Sequence, residues 1–147
     1  MQSAYINNME EWKKGFSFSV PVKVRFSETD MFGHMNNTVP LTYFEYARIE
    51  FFNHLGFMET WLSEDGEGIP VVADIQCDYV KQVYFEEQLN IFVKIERIGN
   101  SSVDLHYLAM SNKEEICFTG RGTIVQMDRQ TGKSVRWNES QLEQVQV

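Results

Sequence analysis

Hydrophobic and polar residues alternate near the start of the chain and again along most of its second half. The first alternating run is FSFSVPVKVRF, residues 16–26. Its internal proline favours the edge of a sheet or a bulge, because proline cannot donate a hydrogen bond to a neighbouring strand. Four more runs follow between Ile69 and Asp128, and short connectors such as IGNSS and SNKEE favour hairpins among the last three. The pattern predicts about five strands, antiparallel at least in the second half.

A helical pattern, TVPLTYFEYARIEFFNHLGF in residues 38–57, separates the first run from the others. Pro40 suits the first turn of a helix, Asn37 or Thr38 can cap it, and Gly56 can end it. Apolar side chains lie on several faces of this helix, which is typical of an enclosed helix. One long helix inserted after the first strand of a sheet predicts an α+β fold.

The length of 147 residues predicts a single domain spanning residues 1–147, large enough to bury about two-thirds of its unfolded surface. The last ten residues, NESQLEQVQV, predict a capped helix or a frayed tail. A single sheet packed against one helix leaves its edges and its other face uncovered. We therefore expect a homodimer or a homotetramer.

Composition narrows the class of protein further. The formal net charge of -8 argues against sequence-independent nucleic-acid binding, which requires a basic face. No apolar run approaches the roughly 20 residues of a membrane span, and no secretory signal opens the chain. Cys77 and Cys117 show no paired spacing, which fits a reducing compartment. We expect a cytoplasmic protein that binds no nucleic acid and has no membrane span.

The polar stretch SETDMFGHMNN, residues 27–37, lies between the first strand and the helix. A helix N-terminus offers unpaired N–H groups and the positive end of a dipole, which stabilise a developing oxyanion. A nearby carboxylate such as Asp30 could attack a carbonyl polarised by those groups, or activate a water. Gly33 would let the backbone turn close to a ligand. These residues indicate acyl transfer as one candidate chemistry.

Two other interpretations of this stretch stay open from the residues alone. Asp30 could cap a turn and Asn37 the helix, with His34 as a partly exposed loop residue, because such turns are common before helices. Asp30 and His34 also have the polarity of a metal-binding pair, but no third ligand has a suggestive spacing.

The segment VRFSETDMFGHMNNTVPLTYFEYAR, residues 24–48, resembles the signature of hotdog-fold acyl-coenzyme A thioesterases of the 4-hydroxybenzoyl-coenzyme A thioesterase type. The resemblance implies a hotdog fold, in which an antiparallel sheet of about five strands wraps around one long central helix. It also implies hydrolysis of an acyl thioester to a free acid and a thiol. The implied substrate is a thioester of coenzyme A or acyl carrier protein, with no metal or redox cofactor.

The same resemblance implies roles for residues of the polar stretch. Asp30 would be the catalytic nucleophile or general base, and the backbone N–H of Asn37, seven positions later, would be the oxyanion donor. Gly33 matches the glycine of the family. His34 and Asn36 match a GHxNN version of the loop, where they would shape the pocket and orient the acyl carbonyl or the attacking water.

For substrate binding we expect contacts from Tyr43, Lys81 and Arg121. Tyr43 belongs to the aromatic side chains of the helix, some of which could line an acyl channel, and the two basic residues could bind coenzyme A phosphates. The chain lacks the later loop histidine and the helix-start tyrosine of many relatives, so acyl specificity is not carried over. Two alternatives are a hotdog hydratase or dehydratase, and a non-catalytic protein that binds acyl-coenzyme A or acyl carrier protein.

Overall fold

The structure is a computed structural model that describes residues 3–64, 66 and 68–145. A short 3-10 turn, Phe26–Glu28, follows the first strand. In chain order the helices and strands of the described part are α1 (Met9–Lys14), β1 (Phe18–Lys23), α2 (Val39–Leu55), α3 (Phe57–Leu62), β2 (Ile69–Tyr79), β3 (Gln88–Ile98), β4 (Ser102–Ser111), β5 (Ile116–Met127) and α4 (Glu139–Val145).

The five strands form one sheet in the order β1-β3-β4-β5-β2, and every neighbouring pair is antiparallel. The predicted hairpins β3–β4 and β4–β5 are confirmed. Strands β1 and β2 are the two edges, and Pro21 lies in β1 opposite Asn90, in agreement with the predicted edge position. The predicted α+β fold, a five-stranded antiparallel sheet around one long helix, is confirmed.

The central helix α2 has the bounds that its sequence pattern predicts, with Pro40 in the first turn and Gly56 after the last. Gly56 has φ +88°, a left-handed conformation that favours glycine. Phe44 stacks on the ring of Tyr107 with 4.3 Å between ring centroids. The helix face toward the sheet supplies much of the core, with Tyr43, Phe44, Ala47, Phe51 and Phe52 all buried. Burial of each phenylalanine on this face contributes about 1.5–3 kcal/mol to the stability of the fold.

The sequence pattern predicts a helix that is enclosed on several sides, but the face of α2 that points away from the sheet is exposed. Leu41, Tyr46 and Ile49 are 38%, 45% and 43% exposed. A single sheet covers only one side of a helix, so these apolar side chains stay uncovered by residues 3–64, 66 and 68–145.

The N-terminal segment contains a helix that the sequence pattern did not predict. Helix α1 has only six residues, capped by the side chain of Asn8, and buries Trp12 against the sheet face opposite α2. Phe16 packs edge-on against Trp12, and Phe26 begins the 3-10 turn. The predicted strand over residues 16–26 is therefore too long, because its terminal phenylalanines serve these other contacts.

The C-terminal helix α4 closes the end of the core that is lined by α2 and α3. The helix predicted over the last ten residues is present as Glu139–Val145, and residues 146–147 lie outside the described part. Gln126 on β5 connects α3 with α4, because its amide oxygen accepts hydrogen bonds from the side chains of Trp61 and Gln141, each at 2.8 Å.

Candidate active site

The loop between β1 and α2 is fixed to the rest of the protein through its backbone. The N–H of Asn36 donates to the carbonyl of Glu28 at 2.7 Å, and the N–H of Met35 donates to the carbonyl of Val83 at 2.7 Å. The first bond closes the loop on itself, and the second attaches it to the connection between β2 and β3. The residues between these bonds are therefore held in one place beside the start of α2.

Asp30 begins a tight turn inside this loop. Its Oδ1 accepts from the N–H of Phe32 at 2.8 Å and of His34 at 3.3 Å, while its own N–H donates to the His34 carbonyl at 2.8 Å. Gly33 has φ +82°, which a residue with a Cβ rarely adopts. The turn-capping interpretation of Asp30 is thus observed. Its second oxygen, Oδ2, has no hydrogen-bond partner among the described residues and is available for chemistry.

His34 is partly exposed and is held by its backbone and its ring. It forms an isolated antiparallel bridge with Tyr84, and the two rings meet edge to face with 5.1 Å between centroids. This contact leaves the imidazole beside the Asp30 turn without a side-chain hydrogen bond in the described part of the chain.

Thr38 occupies the N-cap position of α2, and the side chain of Asn36 holds it from the preceding turn. The Oδ1 atom of Asn36 accepts from the backbone N–H and the hydroxyl of Thr38, each at 3.1 Å. The expected side-chain cap from Asn37 or Thr38 is not formed. The backbone N–H of Asn37 has no partner among the described residues, so it can still donate to a ligand.

These groups border one cleft of about 520 Å³. The structure brings together five of the residues singled out from the sequence, and Gly33 belongs to the same turn. The cleft is also lined by residues that sequence reasoning did not single out, notably Tyr79 at the end of β2. Its lining comprises Asp30, His34, Met35, Asn36, Asn37, Tyr79, Val80, Lys81, Gln82, Val83 and Phe118.

Lys81 supplies a positive charge to the lining of this cleft. Its ammonium lies 2.6 Å from a carboxylate oxygen of Glu115, and both side chains are about half exposed. The hydrogen bond to Glu115 raises the pKa of Lys81, and the same bond lowers the pKa of Glu115. Both groups therefore stay charged across the neutral range.

Tyr43 and Arg121 do not border the Asp30 cleft. Tyr43 is buried and lines a neighbouring cleft between β1 and α2, where its hydroxyl donates to Glu28 at 2.7 Å. Arg121 pairs with Asp104 at 2.6 Å and Asp74 at 3.5 Å, on the sheet face that does not touch α2. Their roles as substrate contacts remain predictions.

Two further kinds of site are absent from the described residues. Residues 3–64, 66 and 68–145 contain no group of three or more His, Cys, Asp or Glu side chains that could hold a metal ion. Over the same residues, no helix has both the length and the apolar character needed to cross a membrane.

Comparison with known proteins places this geometry in a family. The sequence profile of the thioesterase-like superfamily matches residues 24–145. The uncharacterized protein YsmA of Bacillus subtilis is 48% identical over 95% of this chain and 93% of its own length. The acyl-CoA thioesterase YbgC of Haemophilus influenzae is 28% identical over 67% of this chain and 71% of its own.

A solved structure agrees with the sequence comparison. The thioesterase from Thermus thermophilus, crystallised with coenzyme A and Zn, has 30% identity and a TM-score of 0.76 over 90% of this chain and 94% of that one. The chain belongs to the thioesterase-like superfamily and has its hotdog fold. It is a thioester hydrolase, as the resemblance of residues 24–48 predicted.

Proposed function

We propose that this protein hydrolyses acyl-coenzyme A thioesters, with Asp30 as nucleophile or general base and the Asn37 N–H as oxyanion donor. One observation carries the proposal: a carboxylate oxygen and a backbone N–H, both without a hydrogen-bond partner among the described residues, belong to residues that line the same cleft. The names of the Haemophilus relative and of the Thermus complex support coenzyme A as the carrier.

The two catalytic roles of Asp30 differ in their first step. As a general base, Asp30 takes a proton from a water whose oxygen attacks the thioester carbonyl. As a nucleophile, Oδ2 attacks the carbonyl itself, which gives a mixed anhydride that water then hydrolyses to restore the carboxylate. In both cases the carbonyl oxygen gains negative charge, which the N–H of Asn37 stabilises. The C–S bond then breaks and coenzyme A leaves as a thiolate, which takes up a proton from Asp30 in the general-base route and from water in the nucleophile route.

The lining of the cleft separates into apolar and charged parts. Met35 and Val80 provide apolar surface for the acyl group, whereas Lys81 provides the positive charge that a phosphorylated carrier requires. His34 and Asn36 border the turn and the helix start, where they shape the pocket around the reacting carbonyl. Hydrolysis by these groups calls for no metal or redox cofactor.

The exposed face of α2 supports assembly of the protein as a homo-oligomer. Leu41, Tyr46 and Ile49 are exposed on this helix, and Val72 is 42% exposed on the edge strand β2, which pairs with β5 alone among the described strands. A second copy would cover this apolar surface. Light scattering on the purified protein should give the mass of a dimer or a tetramer, and a monomer mass would contradict this part of the proposal.

The test of the reaction is thiol release from short, medium, long and aromatic acyl-coenzyme A thioesters. Asp30→Asn should lower kcat by at least about two orders of magnitude, because the amide is neither a base nor a nucleophile. The asparagine can still accept the N–H groups of Phe32 and His34, so the turn should persist. Asn36→Ala should lower kcat less, since it removes the hydrogen bonds that hold Thr38 but none of the groups that react with the thioester.

A matched control is Asp128→Asn. Asp128 also caps a turn, with its Oδ1 accepting from Gln130 at 2.8 Å and Thr131 at 2.9 Å, but it lies outside the cleft. This variant should hydrolyse at the wild-type rate. A wild-type rate in Asp30→Asn would contradict the mechanism, and absence of thiol release from the whole panel by the wild type would contradict the coenzyme A substrate.

A further inference from the structure

Tyr79 connects the edge of the sheet with the start of the central helix. It is the last residue of β2, opposite Phe118 on β5, and its hydroxyl donates a hydrogen bond to the carbonyl oxygen of Asn37. Cys77 lies two residues earlier and packs against the core, so alternation along the strand places Tyr79 on the same, helix-facing side. The tether therefore joins two segments that are 42 residues apart in sequence.

The sheet end of this tether is rigid. Immediately after Tyr79, the N–H groups of Val80 and Lys81 both donate to the carbonyl of Cys117 at 2.9 Å. The chain thus stays bonded to β5 as it leaves the strand, which fixes the backbone from which the phenol projects. The other end is the loop that carries the free N–H of Asn37.

Hydrogen bonds hold the peptide groups on both sides of Asn37. In the peptide that follows it, the carbonyl of Asn37 accepts from Tyr79, and the N–H of Thr38 donates to the Asn36 side chain at 3.1 Å. In the peptide that precedes it, the carbonyl of Asn36 accepts from the N–H of Val39 at 3.0 Å. The direction of the Asn37 N–H is therefore fixed, although that N–H makes no bond of its own in the described part of the chain.

We propose that Tyr79 is a positioning residue for thioester hydrolysis, whose hydroxyl holds Asn37 so that its N–H meets the developing oxyanion. This inference rests on the proposed function of the cleft. Burial raises the pKa of Tyr79, and the neighbouring Cys77 adds to the effect, so the phenol stays protonated and can donate at neutral pH. The ring lines the cleft as well, so the substrate sits beside the tether.

The experiment compares Tyr79→Phe with the wild type on the best acyl-coenzyme A of the panel. The phenylalanine keeps the ring and removes the tether, so kcat should fall by about tenfold, less than the 10²–10³-fold expected for complete loss of an oxyanion donor. KM should stay within about twofold because the wall of the cleft is retained. Amide hydrogen exchange at Thr38 and Val39 should become faster in the variant, which reports the loosened helix start directly.

The control is Tyr5→Phe, because the hydroxyl of Tyr5 bonds Asp78 and Thr119, each at 3.1 Å, on the other face of the same strand end. This variant should keep the wild-type kcat and the wild-type exchange at Thr38. A wild-type kcat in Tyr79→Phe, or an equal fall in Tyr5→Phe, would overturn the inference. If Asp30→Asn is inactive in the same series, the proposed function stands even when the role of Tyr79 fails.

Discussion

The hydroxyl of Tyr43 donates a hydrogen bond to a carboxylate oxygen of Glu28 at 2.7 Å, which joins the central helix to the 3-10 turn before Asp30. The same oxygen accepts from the N–H of Arg25 at 2.8 Å. The carbonyl of Glu28 in turn accepts from Asn36 at the other end of the loop. Glu28 thereby links the helix to both ends of the loop between β1 and α2.

Tyr43→Phe should therefore act on stability. Tyr43 is 5% exposed, and burial, followed by the bond to Glu28, raises its pKa, so the phenol is a permanent donor at neutral pH. We expect the free energy of unfolding in urea to fall by about 1.5–3 kcal/mol, the usual range for a hydrogen bond to a charged group. Tyr46→Phe is the control, since that hydroxyl is exposed and makes no hydrogen bond among the described residues.

The same variant tests the sequence-based expectation that Tyr43 contacts the substrate. A raised KM together with an unchanged urea midpoint would support a substrate contact and contradict the structural role. Glu28→Gln keeps an acceptor for both donors, so it should cost less than Tyr43→Phe.

Lys81→Met should weaken the binding of the phosphorylated carrier. We expect KM for acyl-coenzyme A to rise about fivefold, equivalent to about 1 kcal/mol for an exposed charge contact. A thioester of N-acetylcysteamine carries no phosphate, so its KM should not change. Glu115→Gln should lower KM for acyl-coenzyme A slightly, because it removes the carboxylate that competes with the phosphates for Lys81.

Lys113→Met provides the matched control for the charge. This lysine is exposed near Glu115, makes no ion pair in the described part of the chain, and does not line the cleft. An equal rise of KM in both lysine variants would show that overall charge, and not a contact at Lys81, determines substrate affinity.

Local sequence patterns predicted the parts of the fold that repeat over many residues. Helix α2 has 17 residues, and each of the strands β2 to β5 has 10–12. Each element is long enough to repeat its hydrophobic pattern several times, and the predicted positions are confirmed. Helices α1 and α3 have six residues each, too few turns for a helical period to show. The position of β2 beside β5 depends on pairing between distant segments, which no local pattern contains.

The residues of the candidate site fall into two groups: some are close in sequence, and others are brought to the site only by the fold. Asp30, Gly33 and Asn37 lie in one short stretch, so the sequence brings them together without knowledge of the fold. Tyr79 reaches Asn37 only because β2 ends beside the helix start, and no residue spacing indicates this. The position of Arg121 on β5 places it on the opposite sheet face beside two aspartates, so its role as a substrate contact stays a prediction.

Gln126→Leu should destabilise the end of the core that α4 covers. The variant would leave the indole N–H of Trp61 and the side-chain amide of Gln141 buried without their shared acceptor. We expect a loss of about 2–4 kcal/mol in the free energy of unfolding, because each unsatisfied buried donor costs about 1–3 kcal/mol. Gln130→Leu, on an exposed turn, should change the urea midpoint little. Equal midpoints for the two variants would contradict a structural role for the network.

The last prediction concerns His106, which is buried under the N-terminal segment. The indole N–H of Trp12 donates to its Nδ1 at 2.8 Å, so this nitrogen must be unprotonated when the contact forms. The charged groups around the imidazole are Glu96 and Lys94 on β3, Asp104 on β4 and Arg121 on β5, and the Tyr5 ring covers it. Burial lowers the pKa of His106 below 6.5, against the attraction of the two carboxylates.

The sign of the pH effect follows from this lowered pKa. The unfolded chain binds a proton on this histidine as the pH falls through 6.5, whereas the folded protein resists protonation until a lower pH. Stability from the neutral imidazole is therefore complete above about pH 7 and declines as the pH falls toward 5.5, still above the range in which carboxylates titrate. Urea unfolding followed by tryptophan fluorescence should show this decline.

His106→Asn isolates the contribution of the buried imidazole. An asparagine oxygen can occupy roughly the place of Nδ1 and accept from Trp12 without titrating, so the variant should show a flatter dependence of stability on pH. His54→Asn removes an exposed histidine and should keep the wild-type slope. Equal slopes in wild type and His106→Asn between pH 7.5 and pH 5.5 would show that another group causes any decline. In that case the contact between Trp12 and His106 would not make the stability of the protein depend on pH.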